Sequence, residues 1–233
     1  MKKKNGWLAA YPLTVLAVMA SIWWGSQTVT TLSENSILPR STCIIIDAGH
    51  GGIDGGATSC TGVLESQYNL QIALKLEDLL HLMGFETKMI RRTDISVHTK
   101  GETIAQKKVS DLKERLRIAN ETPNGLYLSI HQNYFPDSRY SGAQVFYPNT
   151  KGSQELAIQL QSALCTVMNP SNLRQSKKSS GVYLMERIQC PGLLIECGFL
   201  SNPQEASQLQ KPSYQQKLCA VIATSVGSFL SNT

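Results

Sequence analysis

The sequence predicts a single α/β domain: a mostly parallel twisted sheet with helices on both faces, preceded by an N-terminal signal or anchor segment. Three observations carry this. Short apolar runs alternate with segments of helical periodicity. The first apolar run passes straight into a glycine-rich turn. The only segment apolar enough to span a membrane lies at the N-terminus, behind a basic flank.

The elements follow in order. Cys43–Ile46 (CIII) is a strand, and AGHGGIDGGA (48–57) is the turn behind it. Tyr68, Ile72, Leu76, Leu79, Leu80 and Met83 recur at three- and four-residue steps, and Gly84 stops that helix. Phe85–Arg91 reads as a strand, and 94–107 as polar and irregular. Leu112, Leu116 and Ala119 mark a second helix. LYLSIH (126–131) and AQVFYP (143–148) read as strands. Leu156, Leu160, Ala163, Leu164 and Val167 mark a third helix, VYLM (182–185) and LLIE (193–196) two more strands, and Leu218, Val221, Ile222 and Phe229 a closing helix. There is no internal repeat.

Three regions result: a signal peptide or membrane anchor over 1–25, a polar linker over 26–42, and the domain over 43–233. Trp7–Trp24 is eighteen residues without a charge, behind Lys2, Lys3 and Lys4. That pattern predicts export, with the domain on the outer face of a membrane or secreted. The chain is 233 residues long, 42% hydrophobic and 17% charged, which excludes a disordered polypeptide. Its net charge is +5, and the three N-terminal lysines leave +2 for the rest. No nucleic-acid surface is expected from so small an excess. Six cysteines in an exported chain invite disulfides, but a domain of this size does not need them, and several read as small buried apolar residues. No Cys-x-x-Cys pair is present, which speaks against a cysteine-held zinc.

In parallel sheets the loops at the carboxyl ends of the strands build the site. The first strand runs into His50, LYLSI into His131, and LLI into Glu196; Glu65 lies at the start of the first helix. Two imidazoles and a carboxylate are the ligand set of a catalytic zinc, and a second carboxylate can accept a proton from water. Taken singly, each residue also has a structural reading. A strand-end histidine can simply be packed, Glu65 can be a helix-start acid, and the glycine turn can cradle a phosphate. Asp47 or Asp54 can orient a ligating imidazole or close an Asx turn.

The words DAGHGGIDGGA (47–57) with Glu65, LYLSIHQN (126–133), SGAQVFYP (141–148) and LLIECGFLSN (193–202), in this order, resemble the zinc-dependent N-acetylmuramoyl-L-alanine amidases. The resemblance covers about residues 43–230. It implies one zinc held by His50, Glu65 and His131, and Glu196 as the catalytic acid/base. The implied reaction is hydrolysis of the amide between N-acetylmuramic acid and L-alanine of peptidoglycan. Departures at Ala48, Ser66, Gln132 and Cys197 leave those four residues intact.

GVYLMERIQCPG (181–192), NPQEASQL with KPSYQQK, and the extra polar segment near 98–109 resemble the germination-specific, spore-cortex branch of that family. This implies action on the cortex in the intermembrane space of the forespore, before a muramic acid deacetylase, toward muramic-δ-lactam. A partner that aids zinc binding or localisation is a further expectation, because the ligand shell is lean and part of it sits in a glycine loop. A vegetative or cell-division amidase, another metal hydrolase of the same polymer, and a non-catalytic peptidoglycan-binding domain are the competing readings.

Overall fold

The computed structural model describes residues 42–232. The signal or anchor segment and the linker up to residue 41 lie outside the described residues. Among the described residues no helix is long and apolar enough to cross a membrane.

Six strands form one sheet: β1 (Cys43–Ala48), β2 (Glu86–Met89), β3 (Gly125–Asn133), β4 (Gln144–Tyr147), β5 (Lys177–Lys178) and β6 (Gly192–Phe199). Their spatial order is β2-β1-β3-β6-β4-β5. β2, β1, β3 and β6 run parallel, β4 is antiparallel to β6, and β5 is parallel to β4. The apolar runs become the inner strands because they are covered on both faces: every residue of β1 is buried. The polar β2 and the two-residue β5 take the edges.

Among the described residues there are five helices: α1 (Glu65–Leu82), α2 (Ile104–Glu121), α3 (Ser153–Val167), α4 (Pro203–Leu209) and α5 (Pro212–Ser231). On one face α1 packs against β1 and β3, and α5 packs against both α1 and α3. On the other face Ile45, Tyr127 and Leu194 meet Ala119 of α2 together with Leu184, Met185 and Ile188. Alternate residues of each strand thus serve opposite layers.

Four elements differ from the sequence expectation, one of them the edge strand β5, whose two lysines carry no apolar signal. VYLM (182–185) is a turn, not a strand. Backbone bonds from Glu186 to Val182 and from Ile188 to Leu184 wind it helically, so Leu184 and Ile188 reach the same core. A run of four apolar residues does not by itself separate strand from helical turn. α2 begins at Ile104, inside the segment expected to be irregular, because Thr103 and Gln106 form a reciprocal capping box. The C-terminal helical region is preceded by a separate short helix, α4, where Asn202 caps the chain ahead of Pro203.

Candidate metal centre and active site

The site sits at the carboxyl ends of β1, β3 and β6. His131 and Glu196 are register partners on neighbouring parallel strands, so their side chains leave the same face of the sheet. That face also carries Asp47 and Ser129, which are themselves register partners. His50 follows β1 by two residues, and Glu65 is the first residue of α1.

The structure brings together the three residues expected to be ligands. One donor atom from each of His50, Glu65 and His131 lies within 4.8 Å of the other two. Glu65 bridges the imidazoles: Oε1 is 3.0 Å from His131 Nδ1 and Oε2 is 3.2 Å from His50 Nε2. Its oxygens also accept the backbone N–H groups of Gln132 and Ala57 and the amide of Asn69. Glu65 is buried, which by itself raises a carboxyl pKa. The two imidazoles outweigh that and hold it well below the usual carboxylate range. For His50, burial disfavours the charged ring, but Glu65 and then Asp54 outweigh it and raise its pKa to about 9.

The glycine-rich turn allows close approach of the site's side chains. A Cβ on Gly49 would sit 2.2 Å from the His131 ring. One on Gly56, at φ +70, would sit 2.6 Å from Glu65 Oε2 and 2.7 Å from the His50 ring. Asp54, and not Asp47, meets an imidazole: His50 Nδ1 donates to Asp54 Oδ2 at 2.9 Å, which leaves Nε2 turned toward Glu65. Asp47 is instead buried against Arg115, Tyr127 and Ser129.

Glu196 is half-buried, and its Oε2 is shut off from solvent with no hydrogen-bond partner. Burial pushes its pKa up to about 7, with nearby His131 and Glu65 pulling in opposite directions. A carboxyl poised near neutrality can take a proton and return it. His81 and His98 stand apart, paired with Thr87 and Ser96. All six cysteines are free, with Cys43, Cys197 and Cys219 buried.

A cavity of about 210 Å³ adjoins the site, with His50, His131, Lys108, Asp111, Arg115 and Leu184 among its lining residues. Sequence reasoning missed Lys108, Asn69, Arg91 and Arg115, which touch the site's loops. At the site, the partners of Lys108, Arg91 and Arg115 lie 42 to 65 residues away, so no local spacing reveals those three, whereas Asn69 sits one helical turn past Glu65 and donates to it.

Two imidazoles and a carboxylate converging from a buried cradle, with an orphaned acid beside them, form a candidate metal site of the kind found in mononuclear metal hydrolases. The donor set and the glycine clearances fit a zinc ion. Comparison with known proteins makes the class specific: the family model for N-acetylmuramoyl-L-alanine amidases matches residues 44–228, and the chain belongs to that family. The germination-specific N-acetylmuramoyl-L-alanine amidase of Bacillus subtilis is 39% identical over 188 residues, 79% of this chain and 78% of the relative. Among solved structures, the CwlD amidase from Clostridioides difficile in complex with the GerS lipoprotein superimposes with a TM-score of 0.78 at 38% identity, covering 83% of this chain and all of that one. An N-acetylmuramoyl-L-alanine amidase from Clostridium difficile 630 gives a TM-score of 0.70 at 30% identity, covering 82% and 97%.

Proposed function

We propose that this amidase acts on spore-cortex peptidoglycan through one zinc ion held by His50, Glu65 and His131, with Glu196 as its acid/base. The observation that carries the reading is the convergence of those three donors within 4.8 Å of one another, beside a carboxyl whose buried oxygen has no partner. Bound there, zinc supplies a Lewis acid that acidifies water and polarises the amide carbonyl.

The protein's own groups do the rest. Asp54 fixes the His50 tautomer, so that Nε2 is the nitrogen offered to the metal. Glu65 stays ionised. Glu196 takes the proton of the attacking water and delivers it to the departing alanine nitrogen, which otherwise leaves as a poor anion. The products are a free lactyl carboxylate on the muramic acid and a peptide beginning with L-alanine.

The cortex setting rests on likeness to the germination-specific amidase of Bacillus subtilis and to the CwlD amidase. The same likeness supports an accessory protein, since the CwlD structure holds the GerS lipoprotein. In this setting the enzyme works outside the cytoplasmic membrane, in the forespore intermembrane space, and a muramic acid deacetylase uses its product. The test is the muramic-δ-lactam content of spores from a deletion strain. Its loss, with restoration by the intact gene, supports the cortex role; unchanged lactam moves the enzyme to the vegetative wall.

A further inference from the structure

His50 holds a backbone conformation that side-chain-bearing residues avoid: its φ is +61. Such a residue persists only where its surroundings over-determine it. The carbonyls of Ala48, Gly49 and His50 are taken by cationic or amide side chains. Arg91 donates to Ala48 O at 2.8 Å and to Gly49 O at 3.0 Å, and Asn69 also donates to Gly49 O. Arg115 donates to Ala48 O at 3.1 Å and to His50 O at 2.7 Å.

Arg115 is itself held on both sides. It is 2% exposed and pairs with Asp47 of β1 and with Asp111 one turn earlier on α2. Asp47 is fixed by the Tyr127 hydroxyl. Asp111 accepts from Ser96 Oγ and from the Val97 N–H, both at 2.7 Å. A guanidinium can satisfy two carboxylates and two carbonyls at once because its donors form a rigid planar fork; an ammonium cannot span them.

We propose that Arg115 is a positioning residue for the metal centre: by gripping the His50 carbonyl, it holds the left-handed turn that aims the imidazole at Glu65 and His131. The proposal rests on His50 being a metal ligand. Arg115 borders the cavity but bonds to no side-chain atom of His50, Glu65 or His131; its grip on the centre runs through the Ala48 and His50 carbonyls. Packing alone does not require the contact, since a buried cation opposite Asp47 would already be neutralised without reaching His50.

The test is cobalt(II) titration of the full-length chain in detergent, read by visible absorption, for wild type, Arg115→Lys, Asp111→Asn and His50→Ala. Arg115→Lys keeps the charge beside Asp47 and so leaves a folded domain by far-ultraviolet circular dichroism. It is expected to bind cobalt at least about tenfold more weakly and with an altered ligand-field band, as loss of a ligand's support does. Asp111→Asn moves both readouts the same way by less, and decides the matter should Arg115→Lys not fold. A merely structural role lowers stability while the folded fraction keeps wild-type affinity and spectrum; that result in the deciding variant overturns the proposal. A wild-type chain that takes up no cobalt, or takes it up as well after His50→Ala, removes the metal-centre reading and the proposal with it.

Discussion

His131 of β3 and Glu196 of β6 are register partners on adjacent parallel strands. The pairing sets a carboxyl of raised pKa beside an imidazole that already touches Glu65. A backbone ladder therefore fixes the spacing between the expected ligand and the expected acid/base, so neither depends on a mobile loop. Only His50 arrives on a turn, and that turn is held by buried arginines.

Metal uptake should release protons. Without metal, His50 keeps its proton up to about pH 9, because Glu65 and Asp54 outweigh the cost of burial. That proton competes with zinc. Affinity is expected to rise about tenfold per pH unit up to about pH 9 and to level off above it, with close to one His50 proton released per ion at pH 7. The sign for stability is opposite. A raised imidazole pKa stabilises the metal-free fold fully below about pH 6.5, and that contribution is lost as pH rises through about 9. Calorimetric zinc titration in buffers of different ionisation enthalpy measures the proton count; a count of zero contradicts the assignment.

The extent to which this site is legible in the sequence follows from the same geometry. CIII, LYLSI and LLI are apolar because β1, β3 and β6 are covered on both faces, and the first polar residues beyond them are at the sheet's carboxyl pole. His131 and Glu196 can be found that way, and His50 two residues past β1 likewise. The choice between Asp47 and Asp54 could not, since it turns on which carboxylate lies within reach of His50 Nδ1. Arg115 was invisible because its partners in β1 and its loop are 65 to 68 residues away. VYLM misled because its apolar residues look strand-like, yet Leu184 and Ile188 are spaced to pack from a helical turn.

Gly49→Ala should damage the site more than the fold. Its Cβ would lie 2.2 Å from the His131 ring, so the imidazole must move. We expect a stability loss of about 1–3 kcal/mol and a marked fall in zinc affinity. Gly62→Ala is the control: its φ is +86, but no atom lies within 4 Å of the added methyl. There the cost is about 1 kcal/mol of backbone strain with wild-type zinc affinity. Thermal unfolding and metal titration of both variants make the comparison.

Asp54→Asn should weaken the centre without abolishing it. The carboxylate accepts from His50 Nδ1 and pairs with Lys108 Nζ at 2.8 Å. An amide can still face the imidazole but loses the charge that favours donation from Nδ1. Zinc affinity is expected to fall about 10- to 100-fold, with the ligands still in place. Equal affinity in variant and wild type, measured against a competing chelator, would show that His50 needs no such support.

The most direct test of the whole account is turnover of peptidoglycan by Glu196→Gln protein whose zinc content is measured in the same sample. The substitution keeps the shape of the side chain and removes its capacity to take a proton. The expected result is one zinc per chain, with release of peptides beginning in L-alanine reduced about 10²- to 10⁴-fold by mass spectrometry. Near wild-type release from the zinc-loaded variant would contradict the assignment of Glu196 as the proton carrier.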